Sequence, residues 1–396
     1  MPGRIIEEIK GKKYKIIIEA GRDPQTGNRK RIVRTVHGRK TEAEKLCADL
    51  ARELDTGTYI QPTRSTVAEY IREWLESYAK NKAPSTYAGY KRIAQAHIIP
   101  KLGSLVLSKL QPMHIQGYYT EQLACGRKDG KGGLSNNTVI RHHALLHKAL
   151  ECAVQWQYLA RNPAAYVEVP PAEQAEMHPP TANQLCKLLQ LAHGHRDEYL
   201  IIAAAYTGMR EGELLALAWP NIDLEENSIC RVRKTVGYIN GQGFVFRAQG
   251  KSKKARRDLP LPDVVVAALK AQKKLLAQEK LSAGKKYDGQ HNLAFPDTLG
   301  RPMDPSALGR RFKKLAVAAG APDSRFHDLR HRYATDLLEQ GEHPRIVQEL
   351  LGHQTITVTM GTYSHVSPGL QKSAIARLNE RLKNINGHQT GTFEKK

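Results

Sequence analysis

At 396 residues the chain is too long for one ordinary domain, so two or three are expected, and its 40% hydrophobic content is enough for real cores. A formal charge of +22 favours a polyanionic partner, nucleic acid before membrane. Five widely separated cysteines (Cys47, Cys125, Cys152, Cys186, Cys230) without metal-ligand spacing fit a reducing cytosol; the N-terminus lacks an apolar signal core, and no run of about 20 apolar residues predicts a membrane span.

Residues 1–40 hold 12 Lys/Arg against 4 Asp/Glu, which makes this the first candidate nucleic-acid surface. KYKIIIEA (13–20) reads as a strand, GRDPQTGN (21–28) as a turn, and RKRIVRTV (29–36) as a second strand. Thr41 and Glu44 form a capping-box pattern, with Leu46, Leu50 and Leu54 following at helical spacing. A basic strand–strand–helix unit over 1–60 can lie in a DNA groove, with Arg29, Lys30, Arg31 and Arg34 as candidate DNA-binding residues. The competing reading is that these charges only protect an edge strand.

Residues 65–168 read as helical. Val67, Tyr70, Ile71, Trp74, Leu75 and Tyr78 form an amphipathic stripe, better suited to a core than to base stacking. Further helices are expected after Pro84, after Pro112 and from Ser135 through Val139, Leu146, Leu150 and Trp156, with CGRKDGKGG (125–133) as a loop. VPPAEQAEMHPP (169–180), with four prolines, reads as a linker.

From Thr181 a mixed pattern begins and runs to about 385. Helices are expected near 181–193, 196–206 and 211–218, strands in SICRVRKTV, GFVFRAQ and RRDLPL, and helices again from Pro262. Residues 386–396 are polar and expected to be disordered. The fold class is therefore multidomain and mainly α with small β-sheets: a small sheet plus helix, a helical domain, and a mixed α+β domain.

The chemistry concentrates in TGMREGELLAL, HDLRHRYAT and LGHQTITVTMGTY, which hold Arg210, His327, Arg330, His353 and Tyr363. Two arginines, two histidines and a tyrosine suit attack on a DNA phosphodiester by a tyrosine hydroxyl. Arginine grips phosphate with a fork of donors, histidine moves protons near neutral pH, and tyrosine can be a covalent nucleophile. Arg210 follows a glycine-containing turn that would present it at a helix start, and Arg330 shares a helical face with His327. His327 and His331 are four apart, a spacing metal sites also use, but Arg330 lies between them and no carboxylate follows where a ligand is needed. Tyr333 reads as core.

These boxes, in this order and at these separations, resemble the catalytic boxes of the tyrosine recombinases, the phage-integrase family. The likeness is strongest over 181–385. Residues 65–168 resemble that family's core-binding (SAM-like) domain, and 1–60 resembles the arm-site-binding domain of phage and conjugative-transposon integrases. The resemblance implies that Tyr363 is the nucleophile, forming a 3′-phosphotyrosyl link and freeing a 5′ hydroxyl, with His327 as general base. Arg210 and Arg330 would clamp the phosphate, His353 would donate a hydrogen bond to it, and Glu213 would orient its neighbours. His365 matches the family's histidine after the nucleophile, in a structural role. A hairpin lysine would protonate the leaving oxygen; in RAQGKSKKARRDLPLPD, Lys251 fits best, with Lys253 and Lys254 as rivals. Lys253, Lys254, Arg256 and Arg257 are otherwise expected to face backbone phosphates.

The family likeness further implies no metal, ATP or other cofactor, since the phosphotyrosine conserves the bond energy. Implied partners are double-stranded DNA at core and arm attachment sites, a homotetramer on DNA, and a DNA-bending host factor and excisionase. The expected setting is the cytoplasm, at the nucleoid. Integration and excision of a mobile element is the leading function, with prophage and conjugative transposon both open. A type IB topoisomerase or a housekeeping chromosome-dimer recombinase would not need the N-terminal unit, and a non-catalytic regulator would not need every polar catalytic type.

Overall fold

Apolar alternation builds the first sheet of the chain. In this computed structural model, which describes residues 3–22, 27–56, 64–173, 177–248, 256–353, 355–356, 375 and 379 (only the backbone at 21, 22 and 30), β1 (Arg4–Ile9), β2 (Lys13–Arg22) and β3 (Arg29–His37) form an antiparallel sheet in that order. Tyr14, Ile16, Ile18 and Ile32 point to one side and are buried against Ala43, Cys47 and Leu50 of α1 (Lys40–Asp55). The sequence reading found β2 and β3 but not β1, whose Ile6 and Ile9 are exposed and give no buried alternation. It also placed the capping box two residues late. Arg39 is the N-cap, and Glu42 reaches back to its backbone N–H. The helix consequently buries Ala43, Cys47 and Leu50 and turns Leu46 outward.

The helical segment that follows contains α2 (Val67–Ser77), α3 (Pro84–Ile93), α4 (Ile99–Leu102), α5 (Pro112–Cys125) and α6 (Asn136–Gln155). Thr66 and Glu69 cap α2 reciprocally. Tyr70, Ile71, Trp74 and Leu75 lie in the core, with Tyr78 packed against it. A π-turn at Ala94–Ile98 joins α3 to α4, ahead of Pro100, which has no N–H to continue the α pattern. Trp156 caps α6 rather than continuing it, and its ring meets Tyr70 edge-on at 6.3 Å. Residues 1–174 form one compact unit and 175–396 a second.

The second unit is organised around α8 (Glu198–Thr207), preceded by α7 (Ala182–Ala192). α8 buries Leu200, Ile201 and three alanines and packs against helices to either side in sequence. After the short α9 (Glu211–Leu214) come β4 (Ile222–Asp223), β5 (Ile229–Val232), β6 (Lys234–Ile239), β7 (Gly243–Ala248) and β8 (Arg257–Pro260). The run SICRVRKTV is two strands, not one: β5 joins β4 and β8, whereas, among the described residues, β6 pairs only with β7. Helices α10 (Asp263–Ala283), α11 (Pro305–Ala318), α12 (Asp328–Glu339) and α13 (Pro344–Leu351) follow. The fold is mainly α with small antiparallel sheets, as the sequence predicts.

Candidate active site

Helix α8 ends at Gly208 in the left-handed region (φ 59°), where a β-carbon is strained. A Cβ here would also stand 2.4 Å from Cδ1 of Tyr333 on α12, so this turn requires glycine twice over. The turn makes Arg210 the N-cap of α9. Its backbone N–H donates to Oε2 of Glu213 (3.0 Å) and its Nη1 to Oε1 (2.8 Å).

The other arginines converge on one helix end. Arg330 of α12 is 3% exposed and donates Nη1 to the Gly208 carbonyl (2.6 Å) and Nη2 to that of Leu351 (2.7 Å). Arg257 donates Nε to the Leu350 carbonyl (2.7 Å), and Arg210 donates Nη2 to the Gly352 carbonyl (3.0 Å). Three consecutive carbonyls at the end of α13 thus receive three different arginines. The last carbonyls of a helix lack intrahelical partners and carry the negative end of its dipole, so they are natural acceptors for guanidinium groups. Gly352 closes α13 in the left-handed region (φ 66°), and a Cβ on it would come 2.9 Å from Nη1 of Arg257.

Glu213 lies fully inside this cluster. Burial alone would raise its pKa, but the hydrogen bonds and charges of Arg257 and Arg210 outweigh that and hold it at about 2. The histidines shift the opposite way. Burial, then the neighbouring Arg330, pushes His327 down. Burial and His327 bring His331 to about 4, and burial with Arg330 and Arg210 brings His353 to about 4. All three rings are therefore neutral at pH 7, each with one donor and one acceptor nitrogen. The His327 and His331 rings meet edge-on at 5.2 Å. His327 sits at the start of α12, where buried Asp328 is gripped by the forked guanidinium of Arg325.

Of the residues singled out in the sequence, Arg210, Glu213, His327, Arg330 and His353 come together here. Tyr363, Lys251, Lys253, Lys254 and His365 lie outside the described residues. Arg256 lines a cleft with His353 and Arg345. Arg257 corrects the expectation that it faces DNA: its side chain is 7% exposed, with its fork on Glu213 and its Nε on a backbone carbonyl. Six basic residues between 247 and 257 hid that distinction in the sequence. The carbonyls of 350–352 were also missed; their only signal is the glycine after the apolar end of α13.

On the N-terminal sheet, Arg29 is exposed, and Arg31 lies on the face away from α1, paired with Glu19 at 3.1 Å. Arg34 stands opposite buried Ile16 and so shares the helix-covered side, which removes it from the open face. The side chain of Lys30 is outside the described residues. Among the described residues no cluster of His, Cys, Asp and Glu could hold a metal ion, and no helix is long and apolar enough to cross a membrane.

Comparison with known proteins finds relatives along most of the chain. The family model "Phage integrase family" matches residues 178–369, and "Phage integrase, N-terminal SAM-like domain" matches 66–123. A tyrosine recombinase XerC-like protein of Caldanaerobacter subterraneus subsp. tengcongensis is 30% identical over 384 residues, covering 93% of this chain and 96% of its own length. The ICEBs1 integrase of Bacillus subtilis is 26% identical over 381 residues, covering 95% of this chain and all of its own. Among solved structures, the Tn1549 transposon integrase in complex with a circular intermediate DNA superposes with a TM-score of 0.65 at 21% identity, covering 79% of this chain and 99% of that one.

Proposed function

The chain belongs to the phage integrase family of tyrosine recombinases, which cleave and rejoin DNA at specific sites, and we propose that its own residues divide that reaction as follows. Tyr363 attacks the scissile phosphorus, its hydroxyl proton passing to His327. An ordinary tyrosine, with a pKa of about 10, is scarcely ionised at neutral pH, so it needs such a base. A neutral His327 can take the proton. Charge developing on the non-bridging oxygens is met by Arg210 and Arg330, with a hydrogen bond from neutral His353. The 5′ oxygen leaves with a proton from Lys251, and a 3′-phosphotyrosyl link remains. Attack by a second 5′ hydroxyl reverses each step and regenerates Tyr363. The observation that carries this reading is the convergence of Arg210, Arg330 and His353 on the end of α13.

The substrate is double-stranded DNA, and the reaction is the integration and excision of a mobile element. Exchanging two duplexes breaks four strands, and one tyrosine serves each, so the working form is a homotetramer on DNA. Residues 1–60 read arm sites through the open face of the sheet, where Arg4, Lys15 and Arg31 surround Ile17 and Val33. Residues 65–168 and 181–385 hold the core site, with the linker 169–180 between them. A DNA-bending host factor and an excisionase set direction, and the reaction takes place on the nucleoid. The test is recombination between two attachment-site plasmids in excess chelator without ATP. Product should form at the untreated rate; strand cleavage that stops with the chelator would point to metal-assisted chemistry instead.

A further inference from the structure

Glu213 and its two arginines pose a charge question. The carboxylate is 1% exposed and accepts four hydrogen bonds from Arg210 and Arg257. A carboxylate offers about four lone-pair sites, so this pair of arginines can fill it. The two divide the work unequally. Arg257, with its side chain 7% exposed, lays the flat of its fork on both oxygens, at 3.2 and 2.8 Å, and anchors Nε on the Leu350 carbonyl. Arg210 gives Glu213 one guanidinium nitrogen and a backbone N–H, and its side chain is 39% exposed. One negative charge faces two positive ones. The burial and the bidentate geometry assign the negative charge to Arg257, and the surplus positive charge falls on the arginine that opens to solvent.

We propose that Arg257 is a positioning residue: it neutralises Glu213, so that the charge and free face of Arg210 remain available to the scissile phosphate. Without Arg257, Glu213 would become the sole buried counter-ion of Arg210. The Arg210 fork would then turn inward to form a neutral pair, and the clamp would lose the charge that binds the developing oxyanion. Arg257 also opens β8, opposite Val232 of β5, so the same contact ties this strand to the end of α13. The inference rests on the reading of Arg210 as a phosphate clamp.

The experiment is single-turnover cleavage of nicked core-site DNA by the full chain, with core-site affinity measured in parallel. Arg257→Met should cleave about 100-fold more slowly, comparable to losing one preorganised oxyanion donor, with core binding little changed. Removing both charges in Glu213→Gln/Arg257→Met should recover at least about tenfold of that loss, because Arg210 is no longer captured. A purely structural role predicts the opposite, a double variant as slow as Arg257→Met or slower. Arg257→Lys keeps the charge without the fork and should stay within about tenfold of the parent, by the same accounting. It covers the case in which Arg257→Met does not fold, and a Lys variant that folds and is as slow as Arg210→Ala overturns the proposal. If Arg257→Met cleaves normally while Arg210→Ala is inactive, the inference fails alone. If Arg210→Ala cleaves normally, the clamp reading beneath it fails.

Discussion

Replacing Gly208 by alanine should unsettle the centre of the second unit, by an amount the geometry allows one to work out. The residue has φ 59°, where an L side chain costs about 1–2 kcal/mol. Its new Cβ would lie 2.4 Å from Cδ1 of Tyr333 and 2.9 Å from Cδ2 of Leu351, well inside the roughly 3.5–4.0 Å of carbon contact. Overpacking of this kind costs about 1–3 kcal/mol, so the total should be about 2–5 kcal/mol. The carbonyl that moves is the one accepting from Nη1 of Arg330, so cleavage should fall with stability. Hydrogen exchange at the amides of α8 and α12 measures the loss within this unit, without assuming that the whole chain unfolds in one step. Removing the ring in Gly208→Ala/Tyr333→Ala should relieve the clash but leave the backbone cost, a favourable coupling of about 1–3 kcal/mol. A loss below about 1 kcal/mol, or zero coupling, would refute the double requirement for glycine at this turn.

The lowered histidines give a pH dependence of definite sign. His331 and His353 hold folded values of about 4 against an ordinary 6.5, so between these values the unfolded chain binds protons that the folded one refuses. Their contribution is full above pH 6.5 and is lost as pH falls towards 4; thermal unfolding should show this slope, and His331→Gln/His353→Gln should reduce it, the remainder coming from buried His142, also held at about 4, and from the lowered His143 and His327. Lys251→Ala should slow cleavage severely with little loss of DNA affinity, and a 5′-bridging sulfur, whose departure needs no proton, should restore the rate; rescue of Lys253→Ala instead would reassign the acid. Deleting residues 1–60 should abolish arm-site binding and leave core-site cleavage. Equal binding of the isolated N-terminal unit to arm and random duplex at one salt concentration would reduce it to a basic tether.

What the sequence disclosed depended on whether a local pattern carried it. The stripe from Val67 to Leu75 repeats at helical spacing, and every residue in it is buried where that spacing puts it. The cluster of Arg210, His327, Arg330 and His353 was legible because these residue types suit one reaction and stand in recognisable boxes. β1 was not legible, because an edge strand with exposed isoleucines lacks a buried alternation and is specified by its pairing with β2. Arg257 was not legible for a related reason. Its role is set by Glu213 and Leu350, 44 and 93 positions away, while its neighbours in the chain are equally basic. The split of SICRVRKTV between two sheets likewise follows from non-local pairing, with β5 taking β8 as partner and β6 taking β7.

In the proposed reaction a tyrosine of this chain, Tyr363, becomes covalently joined to DNA. A core-site duplex nicked near the scissile phosphate releases a short fragment on cleavage and so traps the attached protein. After denaturation and proteolysis, mass spectrometry of the DNA-linked peptide should place a 3′-phosphotyrosyl bond on Tyr363, and Tyr363→Phe should bind the same DNA without forming an adduct. An undiminished adduct with Tyr363→Phe, or a bond mapped to another residue, would contradict the mechanism.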